Sequence, residues 1–79
     1  MLTYKLDRNS AASLYEQLYR YIKQDIVSGR LACNEKLPSK RMLADHLKLS
    51  VVTVKAAYEQ LIAEGYLFAV EGIVCQCRR

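Results

Sequence analysis

Hydrophobic residues recur at every fourth position through the N-terminal third of the chain. They are Leu14, Leu18, Ile22 and Ile26. This spacing places side chains on one face of an α-helix, and Gly29, just after the last of them, is a residue that commonly ends helices. The pattern predicts a first helix over about residues 12–28, with Ser10 or Ser13 as its N-terminal cap. The eleven residues before it show no periodicity, and only Tyr4 and Leu6 could pack as a short arm.

Two further helical patterns follow a loop predicted at residues 30–38. In the first, Leu43 and Leu47 stand one turn apart after Ser39, which predicts helix two from about residue 40 with Ser39 as its cap. In the second, Ser50 precedes an apolar stripe and Gly65 follows it, which predicts helix three over about residues 51–64. The stripe comprises Val54, Tyr58, Leu61 and Ile62.

The C-terminal pattern changes to runs typical of β-strands. Residues 66–70 and 73–77 are rich in branched, aromatic and other apolar side chains, and Glu71 and Gly72 between them supply a turn. A β-hairpin is predicted. The fold class is therefore mainly α with a small β-hairpin.

Helices two and three are joined by Lys48, Leu49 and Ser50, a connection short enough for a helix-turn-helix. Ala44 and Val54 suit the close crossing of such helices, because a small residue is needed where they touch. We therefore predict a winged helix-turn-helix of three helices plus a wing. One domain is expected over residues 1–79, with the helix-turn-helix at about 39–64 and the wing at about 67–77.

The chain has 79 residues, which suffice for one core but are too few for most enzymes that must enclose a substrate. No apolar run approaches the roughly 20 residues that cross a bilayer, and no signal peptide is recognised, so a cytoplasmic protein with no membrane contact is expected. The three cysteines, Cys33, Cys75 and Cys77, have no zinc-binding spacing, and His46 has no partner for catalysis. We predict no enzyme activity, no metal site and no cofactor in this chain.

The positive charge is concentrated in one part of the sequence. Between residues 36 and 55 there are five cations and one anion, whereas the rest of the chain carries seven of each. We call residues 36–55 the basic segment, and its cations are Lys36, Lys40, Arg41, Lys48 and Lys55. Such a cluster is typical of an element that contacts phosphates, although a solvated basic face would have the same composition.

A helix-turn-helix places the start of its second helix in the major groove of double-stranded DNA. Lys40 and Arg41, next to Ser39 at the start of helix two, are expected to contact the phosphate backbone. The residues expected to meet bases and phosphates from helix three are Ser50, Val51, Val52, Thr53 and Lys55. Exposed valines suit contact with thymine methyl groups.

Several segments together resemble the winged helix-turn-helix domain of the GntR family of bacterial transcription regulators. They are Leu14-Tyr15-Glu16-Gln17-Leu18, Ile26-Val27-Ser28-Gly29-Arg30-Leu31, Glu35-Lys36-Leu37-Pro38-Ser39-Lys40-Arg41, Thr53-Val54 and Leu61-Ile62-Ala63-Glu64-Gly65-Tyr66-Leu67. The segment Ala56-Ala57-Tyr58-Glu59-Gln60-Leu61 is similar to the MocR branch. Members of that branch carry a second domain that binds pyridoxal phosphate, so this cofactor is implied only for a C-terminal domain outside this chain.

The resemblance implies which side chains contact DNA. The family's contacts fall on Arg41, Ser50, Thr53, Lys55 and the wing glycine, Gly72, and its members bind as dimers. The chain departs from the family pattern at Val51, where arginine is usual, and at Lys48, where glycine is usual. The usual wing cations are also replaced, by Val70 and Glu71.

Two other classes of function remain open from the sequence. A winged-helix module could bind a protein partner through its valines and have little affinity for DNA. A small enzyme or metal protein built around His46 and the cysteines is the other alternative. The operator, the regulated genes, the direction of regulation and the effector are outside what the sequence indicates.

Overall fold

The structure of this protein is a computed structural model, and it describes residues 4–32, 34–69 and 72–75. The elements are α1 (Leu14–Ser28), β1 (Lys36–Leu37), α2 (Lys40–Leu47), α3 (Val51–Ala63), β2 (Leu67–Ala69) and β3 (Ile73–Cys75). The three predicted helices and the hairpin are therefore confirmed in their predicted order. The predicted extensions of the hairpin to residues 70, 76 and 77 lie outside the described residues.

A serine hydroxyl begins each of the three helices. Ser13, Ser39 and Ser50 each accept a hydrogen bond from the backbone N–H three residues later, at 3.1, 3.2 and 3.1 Å. This cap satisfies one of the backbone donors that every helix start leaves without a partner. Because Ser13 rather than Ser10 is the cap of α1, that helix begins at Leu14, two residues later than predicted.

The helices enclose one apolar core. Its residues are Leu18, Ile22, Ile26, Leu31, Leu37, Leu43, Ala44, Val54, Ala57, Tyr58, Leu61 and Leu67. The predicted stripe of α1 is confirmed at three of its positions, whereas Leu14 is half-buried. Tyr58 is completely buried, and burial raises the pKa of its hydroxyl. That hydroxyl donates a hydrogen bond of 2.8 Å to the carbonyl of Pro38 and so ties α3 to the start of α2.

The turn between α2 and α3 has the predicted geometry. Ala44 and Val54 are both buried where the helices cross, and Leu49 donates a 2.8 Å backbone hydrogen bond to the carbonyl of Ala44. Lys48 ends α2 with φ 57° and ψ 45°, which is the left-handed conformation. A side chain in this conformation costs about 1 kcal/mol relative to glycine.

The left-handed Lys48 makes Lys48→Gly a stabilising substitution. We expect a gain of about 1 kcal/mol, seen as a rise in melting temperature of roughly 4–8 °C for a domain of this size. Thermal unfolding followed by circular dichroism measures it. Lys48→Ala is the control, because it removes the same charge but keeps a Cβ atom, and we expect no comparable rise. A Lys48→Gly protein that melts at or below the original temperature would contradict the assignment of strain to this residue.

A small antiparallel sheet closes the fold, with the strand order β1-β3-β2. Val74 of β3 pairs with Lys36 on one side and with Phe68 on the other. The prediction of an unbroken loop over residues 30–38 was wrong, because β1 forms within it. Two residues are too few to show a strand pattern, and their pairing partner lies far along the chain. Leu31 and Leu37 are buried and anchor this segment in the core.

Candidate nucleic-acid interface

The start of α2 presents a serine and two cations together. Ser39 uses its hydroxyl oxygen to accept the cap hydrogen bond from Met42, which leaves the hydroxyl hydrogen able to bond a phosphate oxygen. Lys40 is half-buried and Arg41 is exposed. The positive end of the helix dipole lies at the same point, so all of these groups favour an anion there.

The start of α3 is the second cluster of predicted site residues. The hydroxyls of Ser50 and Thr53 lie 2.8 Å apart. One hydroxyl hydrogen is used between them, so the pair has one more to donate outward. Val51 and Val52 are 43% and 75% exposed, and Lys55 is exposed one turn further on. The first turn of α3 thus combines apolar contact surface, one hydroxyl donor and one cation.

The described part of the wing, which comprises β2, Gly72 and β3, lies beside the start of α2. A cleft there is lined by Lys36, Leu37, Ser39, Lys40, Ala69 and Gly72. Gly72 has φ 110°, and a Cβ atom at this position would lie 2.9 Å from Cε of Lys36. The backbone conformation therefore favours glycine at this position, whereas the flexible end of the Lys36 side chain could move aside for a Cβ atom.

Lys36 lines this cleft but is not among the site residues predicted from the sequence. It stands three residues before Ser39 in the sequence, but pairing of β1 with β3 carries it to the wing. Its only signal in the sequence was its membership of the basic segment. The structure brings Ser39, Lys40 and Gly72 together around it, while the other candidate residues lie on the first turns of α2 and α3.

The cations of the basic segment form no ion pair with another residue that the structure describes. Among residues 4–32, 34–69 and 72–75, the ion pairs join Arg20 with Glu16, Lys23 with Glu64, and Arg30 with Asp25. Each of these pairs includes a residue of α1, and none includes a cation of the basic segment. The positive charge of α2, α3 and the wing therefore remains available for an external anion.

The described residues do not form a cluster typical of a metal site. No group of three or more metal-binding side chains occurs in the described part of the chain, and Cys33 and Cys77 lie outside it. His46 is exposed in the last turn of α2, so its apolar neighbours in the sequence do not enclose it. Of the helices that the structure describes, none has the length and apolar character needed to cross a membrane.

Sequence comparison gives a consistent result. The family model described as bacterial regulatory proteins, gntR family, matches residues 14–75. The chain is 53% identical over 62 residues to the uncharacterized HTH-type transcriptional regulator YdeL of Bacillus subtilis, covering 78% of this chain and 13% of that protein. It is 39% identical over 67 residues to the probable rhizopine catabolism regulatory protein MocR of Rhizobium meliloti, covering 85% of this chain and 14% of that protein.

Solved structures share the fold. YtrA from Sulfolobus acidocaldarius, a GntR-family transcription factor, superposes with a TM-score of 0.89 at 33% identity, covering 95% of this chain and 81% of that one. AraR(DBD) in complex with operator ORR3 has a TM-score of 0.76 at 22% identity, covering 94% of this chain and 92% of that one, which is a likeness of fold.

The predicted winged helix-turn-helix fold is thus confirmed by these structural neighbours, and the similarity to MocR agrees with the branch suggested by the sequence. The chain spans about an eighth of the length of the two curated relatives described above. The family model covers residues 14–75, which include the start of α2, the start of α3 and the cleft beside the wing. This chain belongs to the gntR family of bacterial regulatory proteins.

Proposed function

We propose that this chain is the DNA-binding part of a transcription regulator and that it binds double-stranded DNA with α3 in the major groove. The observation that carries the proposal is the first turn of α3, where exposed valines, a hydroxyl donor and Lys55 stand together and Lys55 forms no ion pair with any described residue. An α-helix fits the major groove, and its N-terminal residues reach the base edges. The operator complex of AraR(DBD), which has the same fold, supports duplex DNA as the partner.

The side chains divide into those that position the protein and those that read sequence. Lys40, Arg41 and Lys55 bind phosphates, assisted by the hydroxyls of Ser39 and Ser50. Val51, Val52 and Thr53 face base edges, where branched apolar groups contact the methyl group of thymine. Gly72 lets the wing approach the backbone of the duplex. Valine stands at position 51, where arginine is usual in the family. Discrimination between DNA sequences therefore relies on apolar contact more than on hydrogen bonds to guanine.

A single copy of this domain buries too little surface for tight specific binding, so we propose that two copies bind two half-sites as a homodimer. The remaining length of a protein such as YdeL or MocR would hold the two copies together. We propose no catalytic activity and no cofactor for the chain itself, and pyridoxal phosphate would belong to a separate C-terminal domain. Its place of action is the bacterial cytoplasm, where the chromosome lies.

A salt titration tests the proposal directly. The 79-residue chain is titrated into a fluorescent duplex of about 20 base pairs, two helical turns, at several salt concentrations. The three phosphate contacts of Lys40, Arg41 and Lys55 contribute about −2.7 to the slope of the logarithm of the association constant against the logarithm of salt, so we expect a slope at least this steep. The dissociation constant at physiological salt should be micromolar or weaker.

Two results would contradict parts of this proposal. No binding even at low salt would favour the alternative of a protein-interaction module, for which the exposure of Val51 and Val52 is the supporting observation. Nanomolar binding by a demonstrated monomer would show instead that a second copy is not needed for affinity.

A further inference from the structure

The residues before α1 form an arm, and its first described residues, Tyr4 and Lys5, are held against α1. The ring of Tyr4 stacks on that of Tyr21 with centroids 5.1 Å apart. Its hydroxyl donates a 2.7 Å hydrogen bond to Oδ2 of Asp25, and burial together with this bond raises the pKa of Tyr4 so that the hydroxyl stays protonated. The hydroxyl of Tyr21 donates to the carbonyl of Lys5 at 3.0 Å. The arm thus begins from a defined position on α1.

A second fixed point follows at Asp7. The backbone N–H of Asp7 donates to Oε1 of Gln17 at 2.7 Å, and Nε2 of Gln17 donates back to the Asp7 carbonyl at 2.8 Å. The side chain of Asp7 accepts from the backbone N–H of Asn9 at 2.9 Å, which folds residues 7–10 into a turn. Arg8 lies in this turn, and its backbone is held in place on both sides.

The side chain of Arg8 reaches the helix-turn-helix. Its Nη2 donates a 2.7 Å hydrogen bond to the carbonyl of Lys48, 40 residues along the chain. Lys48 ends α2 and stands two residues before Ser50, the cap of α3. Because consecutive Cα atoms are about 3.8 Å apart, the guanidinium lies within roughly 13 Å of the Cα atom of Ser50, the cap of α3.

The guanidinium of Arg8 has more N–H donors than its hydrogen bond to Lys48 uses. A guanidinium carries five N–H donors, and the hydrogen bond to Lys48 uses one of them. Arg8 is exposed, and none of the ion pairs between described residues includes it. A guanidinium that is held by one hydrogen bond and is otherwise exposed to solvent can bind a phosphate with its remaining N–H groups.

We propose that the arm is a further DNA-contacting element, in which Arg8 holds the carbonyl of Lys48 and binds a backbone phosphate beside the start of α3. This inference rests on the proposed function. It adds a fourth cation to Lys40, Arg41 and Lys55, from a part of the sequence where cations and anions otherwise balance. Because the contact is with a phosphate, it raises affinity for every duplex sequence alike.

The test compares Arg8→Ala, Arg8→Lys and the original chain in salt titrations with the same duplex of about 20 base pairs. Loss of one phosphate contact should make the salt slope shallower by about 0.9 and weaken binding roughly fivefold to tenfold at about 0.1 M salt. Arg8→Lys keeps the charge and should keep most of the slope. Lys5→Ala is the matched control, because it removes a cation from the same arm at a place bound to α1, and it should leave the slope unchanged.

Each other result counts against the proposal. If Arg8→Ala weakens binding but keeps the full slope, the residue acts only by shaping the fold, and the phosphate contact is refuted. If Lys5→Ala weakens binding as much as Arg8→Ala, the loss of affinity results from the net positive charge of the arm and not from a specific contact of Arg8. Failure of the proposed function has a different signature, since the original chain itself would then show no binding at any salt concentration.

Discussion

The Arg41→Glu variant is expected to lose up to about 100-fold in affinity for duplex DNA. Loss of one phosphate contact weakens binding roughly fivefold to tenfold at about 0.1 M salt, and the reversed charge adds a repulsion of similar size from the phosphate that Arg41 is proposed to bind. Arg41 is exposed in the first turn of α2, where none of the described ion pairs involves it. The measurement is the same anisotropy titration, at a salt concentration where the original chain binds measurably.

Unfolding would not explain such a loss. The first turn of α2 contains no acidic residue, and a glutamate there interacts favourably with the helix dipole by about 0.3–1 kcal/mol. The variant should therefore melt at least as high as the original protein.

Arg20→Glu is the charge-matched control. Arg20 lies on α1 and is 68% exposed in its pair with Glu16, so its reversal costs about as much stability as an exposed like-charge pair, a few tenths of a kcal/mol. It should change DNA affinity far less than Arg41→Glu. Equal losses in the two variants would mean that only net charge matters, and unchanged binding by Arg41→Glu would remove Arg41 from the interface.

The Tyr58→Ala variant should be the least stable of the single substitutions considered. Tyr58 is completely buried, and replacing a large buried aromatic residue with alanine costs about 3–5 kcal/mol. Small domains have a total stability of only about 5–15 kcal/mol, so we expect a fall in melting temperature of at least about 15 °C. Thermal unfolding followed by circular dichroism gives the value.

Tyr58→Phe separates the ring from its hydroxyl. The ring continues to fill the core, while the 2.8 Å hydrogen bond to the carbonyl of Pro38 is lost. The expected cost is about 1 kcal/mol. Because Pro38 directly precedes the cap of α2, this variant should also weaken DNA binding slightly. If Tyr58→Ala and Tyr58→Phe melted at the same temperature, the packing described around the ring would be wrong.

The parts of the fold that the sequence predicted well are those governed by local interactions. The starts of α2 and α3 were predicted correctly, because a serine cap bonds to a backbone group only three residues away. The left-handed conformation of Lys48 agrees with the family resemblance, because glycine, which adopts this conformation readily, is usual at that position. The start of α1 was less certain, since Ser10 and Ser13 are both possible caps and only Ser13 is used.

The parts that were missed depend on distant residues. Lys36 joins the candidate site because β1 pairs with β3, and Arg8 reaches Lys48 by a bond between residues 40 positions apart. Neither contact produces a periodic pattern in the sequence. The side chains at the start of α3 were predicted as site residues from their position in a helix-turn-helix. The hydrogen bond between Ser50 and Thr53 could be identified only from the structure. Their roles in DNA binding remain predictions.

The strand order of the sheet has a consequence for synthesis of the chain. β1 and β2 each pair with β3, which is the last of the three strands along the chain. Until Ile73 and the residues after it have been added and have left the ribosome, neither outer strand has its partner, whereas the residues of all three helices precede Ile73 in the chain. β2 and β3 are neighbours along the chain and pair as a hairpin, whereas the pairing of Lys36 in β1 with Val74 in β3 joins distant residues and is slow compared with helix formation. The sheet is therefore completed last, and a chain that stopped at residue 72 would lack all of its strand pairing and not one strand alone.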